Sequence, residues 1–568
     1  QGKDRTPSSS GTFPSDLHRI MPFSREYLDE LYRRSLTGYK NPVSVDSNGG
    51  YLYYGSTNWL EEFYTPYHLS QTHSLSISGS GEKVSASLSG RYYSQGSIYK
   101  IGKEDFDTFF LRSKISVKLS DRITLDNNTS LNKRNYLQPY YKSDRPGIAK
   151  IIDDSGIPLF TPSNPDGSPT IIATQNGYWK FRNGCDSQDE ETVDVTTSTG
   201  MDLVLIPEVL KFRADYSFKA TRLNRNRVEV PSQYSTSWGA FTDEVLQENS
   251  FKSRWMYDTD YWTANAVLTW TPKLGDSHEL NVVGGWNAED YQYKYYRLYR
   301  TGLLTSEVPS FELMDGTENN IYNDYETCYS TVGVFARVNY SLLRRYIFEA
   351  SARYDGSSKF PENHKWGFFP SASFGWRLSE EPFLEDAKAS WLDNLKLRAN
   401  IGSLGNANVS PYRFIEKVSV SNSTLLLDGG KVPYATMPSV VPESLTWEKV
   451  TTYDIGLDWD IFKSRLSFCG DYYVRNNDDV IITGPELPGV YGTSTPSGNF
   501  GKIQTRGWEL TLTYRDEFSL AGKSFSYSIK GSVWDSRTWV REYHNTSGNI
   551  FTFYNGKELG EIWGFRTD

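Results

Sequence analysis

From about residue 72 to residue 535, apolar and polar residues alternate at every second position in one segment after another. In 209–220, for example, Phe212 and Tyr216 alternate with Arg213 and Asp215. Successive side chains of a β-strand point to opposite faces, so each segment has one apolar face and one polar face. The pattern predicts sixteen strands, at 72–80, 83–93, 106–119, 121–131, 191–206, 209–220, 259–270, 278–290, 329–340, 345–354, 366–378, 392–403, 447–461, 464–476, 505–515 and 524–535.

The length of the predicted strands and the order of their connections both favour a membrane. A mean strand in a soluble sheet has about 5–6 residues, whereas a tilted strand needs about 9–11 to cross a bilayer, and most of these segments reach that length. Short turns such as 81–82 and 207–208 alternate with long connections such as 132–190 and 221–258. That alternation is typical of an outer-membrane barrel with tight periplasmic turns and long external loops.

The composition agrees with this interpretation. Aromatic residues make up 15% of the 568 residues and hydrophobic residues 38%, and the mean hydropathy is −0.57. No stretch approaches the ~18 consecutive apolar residues of a transmembrane helix, which excludes a helical membrane protein. Rings near predicted strand ends, such as Trp262, Trp270, Trp376, Trp447 and Trp508, suggest interfacial girdles. The alternative is that aromatic residues simply favour strands.

The sequence contains no catalytic or metal-binding pattern. The three cysteines (Cys185, Cys328 and Cys469) form no CxxC, and the six histidines form no HExxH. GxSxG and phosphate-binding loops are also absent, so we expect neither an enzyme nor a cofactor. The acidic stretches 153–156 and 476–479 offer oxygen ligands for a structural calcium ion but lack EF-hand spacing, which favours solvated turns.

The net charge of −9, with Lys and Arg scattered along the chain, gives no basic face for nucleic acid.

Two stretches of the chain are distinctive: RYDGSSKF, within Arg353–Leu384, and LRANIGSLGN, within Leu392–Tyr412. They are the most specific of several stretches that resemble the SusC/RagA-type TonB-dependent transporters of Bacteroidetes outer membranes. The resemblance covers roughly residues 55 to 568, and its further matching stretches are Leu445–Ile481, Gly498–Tyr514, His73–Ile98 and Gly560–Asp568.

The resemblance implies an all-β fold, a large antiparallel transmembrane β-barrel with long extracellular loops. By this resemblance, the whole barrel would have 22 strands and would be closed by an N-terminal plug. About sixteen of those strands are recognised here. We therefore expect residues 1–71 to form the connecting segment after the plug together with a first strand and loop region. Residues 72–568 would form an incomplete barrel that lacks its C-terminal strands.

The resemblance also implies a function, the TonB-dependent import of a large nutrient across the outer membrane. A glycan or oligosaccharide is the expected substrate rather than a peptide. The implied partners are a SusD/RagB-like surface lipoprotein that acts as a lid, the TonB–ExbB–ExbD system, and outer-membrane lipid and lipopolysaccharide. A dimer of SusC–SusD pairs is expected. A passive or secretion barrel and a soluble β-rich carbohydrate-binding protein are the alternatives.

Charged residues on the polar strand faces are candidates for contact with a plug or a solute. An Arg or Lys facing lipid at the bilayer midplane costs about 2–4 kcal/mol, so we expect these residues to face the lumen. Mutual ion pairing along the wall is an equally supported role. The candidates are Arg213, Asp215, Arg337, Glu349, Arg353, Lys396, Arg398, Arg465, Asp471, Arg506 and Glu509.

Aromatic residues in two long connections are candidates for solute binding. They are Tyr140, Tyr141 and Trp179 in 132–190, and Trp238 and Trp255 in 221–258. Rings can stack on sugars or pack against peptide side chains. Packing of one loop against another is the favoured alternative, because loops of this length need internal packing to be ordered.

Overall fold

The computed structural model describes residues 25–38, 41–102, 104–139, 157–183, 187–230, 233–243, 250–305, 308–316, 321–384, 391–427, 430–436, 438, 440–442, 444–492 and 495–564.

The described part of the chain is built almost entirely of strands. They are β1 (Val43–Val45), β2 (Tyr51–Tyr53), β3 (Ser70–Ser80), β4 (Val84–Gln95), β5 (Asp105–Ser120), β6 (Ile123–Pro139), β7 (Ser187–Ile206), β8 (Leu210–Glu229), β9 (Gln233–Ser237), β10 (Ala240–Asp243), β11 (Phe251–Trp270), β12 (His278–Thr301), β13 (Ile321–Leu342), β14 (Tyr346–Ser357), β15 (Trp366–Arg377), β16 (Leu392–Asn406), β17 (Val420–Leu427), β18 (Gly430–Ala435), β19 (Glu448–Ile461), β20 (Leu466–Thr483), β21 (Ser497–Leu520) and β22 (Lys523–Glu542).

The described helices are short. The α-helices are α1 (Arg25–Ser35), α2 (Trp59–Phe63), α3 (Ile171–Gln175) and α4 (Tyr178–Asn183), and the 3₁₀ turns are Phe311–Leu313, Glu362–His364, Leu378–Glu380, Pro382–Leu384 and Gly489–Tyr491. None of the helices in the described ranges is long and apolar enough to span a membrane.

Sixteen strands form one antiparallel sheet in which each strand pairs with its neighbours in chain order. They are β3–β8, β11–β16 and β19–β22, and they correspond one by one to the sixteen predicted strands, which confirms the predicted fold class. The pairs β1–β2, β9–β10 and β17–β18 are separate hairpins.

Strands end close to the predicted positions at the short turns but continue well beyond them at the other end. β12 runs on to Thr301 and β13 begins at Ile321, although the predicted strands covered only 278–290 and 329–340. β11 likewise begins at Phe251, so the predicted loop 221–258 is strand at both of its ends. We call the two edges of the sheet the short-turn end and the long-loop end.

Strand register assigns every residue to one of two faces. Arg213 pairs with Val267 and Asp202, and Asp215 pairs with Asn265, so these residues share the polar face. Phe348 pairs with Phe374 on the opposite face, the apolar face. Large hydrophobic side chains there remain exposed; Ile455, for example, is 62% exposed. Exposed aliphatic and aromatic side chains on one whole sheet face are typical of contact with lipid.

Two aromatic rings at the short-turn end are held by one carboxylate. Tyr346 and Trp376, on the apolar face, stack with ring centroids 6.4 Å apart. Glu381 accepts hydrogen bonds from Tyr346 Oη (2.6 Å) and Trp376 Nε1 (2.9 Å). These two bonds hold the pKa of the Glu381 carboxyl below its usual range. The arrangement is that of an interfacial girdle, with rings toward the apolar side and polar groups toward water.

Trp447 differs from the expected girdle position. It is 9% exposed and packs in a cluster with Phe360, Phe369, Val409 and Leu445 at the long-loop end. Its indole Nε1 donates to the Lys365 carbonyl over 2.9 Å. The residue precedes β19 and is covered by loops, so proximity to a strand end was not sufficient to predict an interfacial ring.

The largest buried core of the described chain lies outside the sheet, at the long-loop end. We call residues 41–64, 157–183 and 233–243 the loop module. Its fully buried side chains include Tyr53, Phe63, Phe160 and Phe181, and the backbone N–H of Gly55 donates to the Leu159 carbonyl over 2.8 Å. Part of the segment 1–71 is therefore placed among the long loops, and its assignment to a connection after a plug stays a prediction.

Candidate functional site on the polar face

Arginine–carboxylate pairs cross from strand to strand on the polar face. Arg398, on β16, reaches Asp458 of β19 (2.9 Å) and Asp471 of β20 (2.9 Å). Arg213, on β8, contacts Asp202 of β7 and reaches Asp126 of β6 over 3.2 Å. Each guanidinium thus joins three strands through charge-assisted hydrogen bonds, which are stronger than bonds between neutral groups.

Glycines make these long reaches possible. A Cβ added to Gly456 would lie 2.7 Å from Arg398 Cζ, and one added to Gly200 would lie 2.7 Å from an Arg213 nitrogen. A Cβ at Gly333 would lie 1.8 Å from Asp355. Any larger residue would displace the ion pairs from the wall.

Most of the other predicted polar-face residues are also paired. Arg353 contacts Asp355 (2.8 Å) and Arg465 contacts Asp516 (3.0 Å). The remaining contacts are Arg337 with Glu349, and Asp215 with Asn265 Nδ2 over 2.8 Å. Lys396 lies opposite Asp458, and Glu509 lies opposite Asp471. Ion pairing within the wall therefore accounts for many of these charges. Contact with a plug or a solute stays a prediction.

The prediction that Arg506 faces the lumen is wrong. It pairs in register with Val474 and follows the same parity as Trp508, so it lies on the apolar face, opposite to Glu509. Arg506 and Glu509 are three residues apart, and two such residues cannot share a strand face. The guanidinium lies 6.0 Å from the Trp539 ring, beyond Trp508 toward the long-loop end. A charge at that level avoids the cost of the bilayer midplane.

Aromatic side chains cover the polar face of three neighbouring strands toward the long-loop end. We call them the aromatic track: Trp255, Tyr257 and Tyr261 on β11, Tyr291, Tyr293 and Tyr295 on β12, and Tyr325 and Tyr329 on β13. The six-residue step from Trp255 to Tyr261 corresponds to about 20 Å of strand. Ring centroids lie 5.1 Å apart for Tyr257 and Tyr295 and for Tyr291 and Tyr329.

Cations lie over several of these rings. Arg227 and Arg297 lie 4.9 and 5.1 Å from the Trp255 ring. Arg225 lies 5.9 Å from the Tyr257 ring and is ion-paired with Glu190 over 2.7 Å. The track therefore presents phenol groups and guanidinium N–H groups rather than bare ring faces.

A pocket of about 450 Å³ adjoins the track at Tyr329. Glu289 in its wall accepts a hydrogen bond from Tyr261 Oη over 2.7 Å. Lys359 Nζ lies 4.1 Å from the Tyr329 ring centroid and donates to the Ala407 carbonyl over 3.2 Å. Burial lowers the pKa of the Lys359 amine. Acidic, basic, hydroxyl and aromatic groups thus converge in one concave site, which is the usual character of a binding pocket.

Phe369 forms one wall of this pocket and needs two glycines beside it. A Cβ at Gly405 would lie 2.1 Å from Phe369 Cζ, and one at Gly367 would lie 2.4 Å from it. The ring contacts Trp447 edge-on, with centroids 5.5 Å apart. Gly367 and Gly405 lie in the stretches Arg353–Leu384 and Leu392–Tyr412, and their lack of a side chain makes room for the Phe369 ring.

Of the predicted solute-binding aromatics with described positions, two lie in the loop module and one lies on β11. Trp255 is 8% exposed and lies on β11, not in a loop. Trp179 packs against the core of the loop module, and its Nε1 donates to the Pro162 carbonyl over 2.6 Å. Trp238 is 58% exposed, with its ring 6.5 Å from that of Tyr51. Tyr140 and Tyr141 lie outside the described residues.

The aromatic track was not predicted, because β11, β12 and β13 extend beyond the predicted strand bounds. The signal was present in YQYKYY (291–296), where Tyr291, Tyr293 and Tyr295 recur at every second position. On a strand that spacing puts all three rings on one face.

A structural calcium ion at the two acidic stretches stays a prediction. The stretch 153–156 lies outside the described residues, and 476–479 belongs to β20. Among the residues with described positions, no group of three or more His, Cys, Asp or Glu is arranged to hold a metal ion.

Comparison with known proteins identifies relatives over most of the chain. The family described as "TonB dependent receptor-like, beta-barrel" matches residues 116–562. TonB-dependent receptor P3 of Formosa agariphila is 26% identical over 480 residues, 83% of this chain and 46% of that protein. TonB-dependent receptor SusC of Bacteroides thetaiotaomicron is 30% identical over 286 residues, 45% of this chain and 28% of that protein. The chain thus spans less than half the length of these relatives.

Among solved structures, the RagAB peptide transporter shares the fold, with a TM-score of 0.69 at 17% sequence identity. The match covers 94% of this chain and 57% of that one. Together these findings confirm the resemblance to SusC/RagA-type proteins and the predicted outer-membrane location.

Proposed function

Because the chain belongs to the TonB-dependent receptor-like β-barrel family, we propose that it forms much of the barrel wall of an outer-membrane importer. The importer moves a nutrient too large for passive diffusion. Transport depends on TonB–ExbB–ExbD, and a SusD/RagB-like surface lipoprotein covers the long-loop end. The names SusC and RagAB of its relatives support this proposal.

The observation that carries the proposal is the aromatic track with its adjoining pocket. Both lie on the polar face toward the long-loop end, where a solute entering a barrel first meets the wall. A diffusion pore needs only a polar lining, whereas this wall presents eight rings and a pocket with charges of both signs. Such a surface binds a solute during passage.

The same surface favours a glycan over a peptide. β11, β12 and β13 are paired on both sides, so a peptide cannot add to them as a further strand. Binding there must use side chains alone. Phenol groups, ring edges and hydroxyl-rich pocket walls match the alternating apolar and hydroxyl surfaces of a sugar chain.

The test is to purify the full-length protein from native outer membrane and to identify what co-purifies by denaturing intact mass spectrometry. The proposal predicts a lipidated partner in a fixed ratio, with two copies of each chain in the native assembly. A protein that purifies alone, under conditions that keep other membrane complexes intact, contradicts the partner and favours a passive or secretion barrel.

A further inference from the structure

A groove of about 800 Å³ crosses the apolar face between β13 and β20. Its floor is made of Ala350, Ala372 and Ala399, one from each of three neighbouring strands. Larger side chains, among them Phe348 and Tyr453, stand along its sides. The alanines thus leave a depression between these larger side chains.

A second apolar depression of about 700 Å³ continues the first toward the short-turn end. The two share Phe374, Ala399, Ile455 and Tyr472. The second reaches Trp376 and Trp508, and the Phe468 ring packs over Gly470 beside it. We call the continuous apolar depression formed by the two the channel; it lies on the outside of the sheet and ends at the girdle ring of Trp376.

The position of the channel determines what fills it. The apolar face of an outer-membrane barrel faces the hydrocarbon of the bilayer, where an empty space forfeits dispersion contacts. A second copy of this chain is a poor occupant, because an isologous contact places the same patch on both sides. Two concave patches facing each other leave the space unfilled, whereas flexible acyl chains follow an irregular floor.

Polar groups lie where the channel meets the short-turn end. Trp376 and Tyr346 are held by Glu381, and the Arg345 guanidinium lies 3.5 Å from the same carboxylate. Arg377, the next residue along β15, pairs in register with Lys396 and therefore lies on the polar face. Phe374 and Trp376 are two residues apart, about 7 Å along the strand. Acyl chains in the channel therefore bring their glycerol and phosphate groups to this mixed-charge edge.

We propose that this channel is a binding site for one glycerophospholipid of the leaflet at the short-turn end, with its acyl chains over Ala350, Ala372 and Ala399 and its phosphate beside Arg345. The lipid completes the outer surface of the wall. This inference depends on the membrane location of the chain and is independent of what the protein transports.

The test uses the full-length protein in detergent and measures retained phospholipid by native mass spectrometry. Ala372→Phe fills the channel, and Ala266→Phe is the matched control because Ala266 faces the same side on β11 but does not line the channel. Wild type and control should retain one phospholipid through repeated detergent washing, and A372F should lose it about tenfold more readily. Equal retention by A372F, or no retained lipid in wild type, overturns the proposal.

A second measurement does not require A372F to fold. Phospholipid with brominated acyl chains, added to wild-type protein, should quench the fluorescence of Trp376 and Trp508, and Trp376→Phe should remove part of that quenching. Equal quenching in wild type and W376F contradicts the site. A native dimer that A372F dissociates would show that a second copy occupies the channel, and would also overturn the proposal.

Discussion

Arg398 lies across Gly456, and the Cβ that this glycine lacks would be 2.7 Å from the Arg398 Cζ atom. The absence of that Cβ lets the guanidinium pass over β19 and contact both Asp458 and Asp471. Arg213 uses Gly200 in the same way to reach Asp126. The ion pairs on the polar face therefore depend on strand register, because the register places a glycine beneath each of these two guanidinium groups.

Replacing Gly456 with alanine should destabilise the protein by about 1–3 kcal/mol, because the added methyl group collides with Arg398 and Asp471. The unfolding temperature in detergent, followed by the loss of the compact form on unheated gels, measures the effect. Gly284→Ala on β12 is the control, since a Cβ there has no atom within 4 Å. Equal stability of G456A and G284A would show that the ion pairs relocate freely.

Phe63→Ala should loosen the loop module and leave the sheet intact. Phe63 is fully buried in the core of the module, and removing a buried phenylalanine costs about 3–5 kcal/mol. Limited proteolysis of the folded protein should then cut within 41–64 or 157–183 at lower protease concentration. Leu60→Ala, on the same helix but at a 56% exposed position, should leave the cleavage pattern unchanged. Equal protection in F63A and L60A would contradict the packing.

The hydrogen bonds to Glu381 should make the unfolding temperature of the protein fall at acid pH. Hydrogen bonds from Tyr346 and Trp376 lower the pKa of the Glu381 carboxyl. Its contribution is therefore fully present above the ordinary carboxyl pKa of about 4.3 and is lost as the pH falls through the lower folded-state pKa. Unfolding temperatures of wild type and Glu381→Gln should differ most at neutral pH and converge in acid. A constant difference down to acid pH would contradict a role for the ionised carboxylate.

Tyr293→Ala should weaken solute binding about two- to tenfold, the range expected for loss of one aromatic contact. Tyr296→Ala on the same strand is the control, because Tyr296 lies on the opposite face and is 40% exposed. Binding to the full-length protein can be measured by intrinsic fluorescence against a panel of neutral oligosaccharides and peptides. Equal effects of Y293A and Y296A would remove the aromatic track from the binding site.

The sequence predicted the sixteen strands of the sheet in the described residues, and their order, because alternation is enforced wherever one face contacts hydrocarbon. Beyond the bilayer that constraint ends. In β12 the alternation of apolar and polar residues ends after residue 290, and the recurrence of Tyr291, Tyr293 and Tyr295 is the signal that the strand continues. Trp255 was assigned to a loop for the same reason, although β11 already begins at Phe251.

The details of the site depend on neighbours that are distant in sequence. Parity alone excludes Arg506 from the face of Glu509, and this could have been read from their spacing. The pairing of Arg213 with Asp126 links residues 87 positions apart, which alternation along one strand cannot reveal. The same holds for the pocket, whose walls come from β12 to β16 and the loops beside them.

We propose that the full-length protein imports its solute actively. The most direct measurement is uptake of a bound solute by cells that carry the full-length protein, with and without a functional TonB. We predict that uptake falls to the level of cells lacking the transporter when TonB is removed, while binding at the cell surface persists. Uptake that continues unchanged without TonB would contradict active import and would identify a passive barrel.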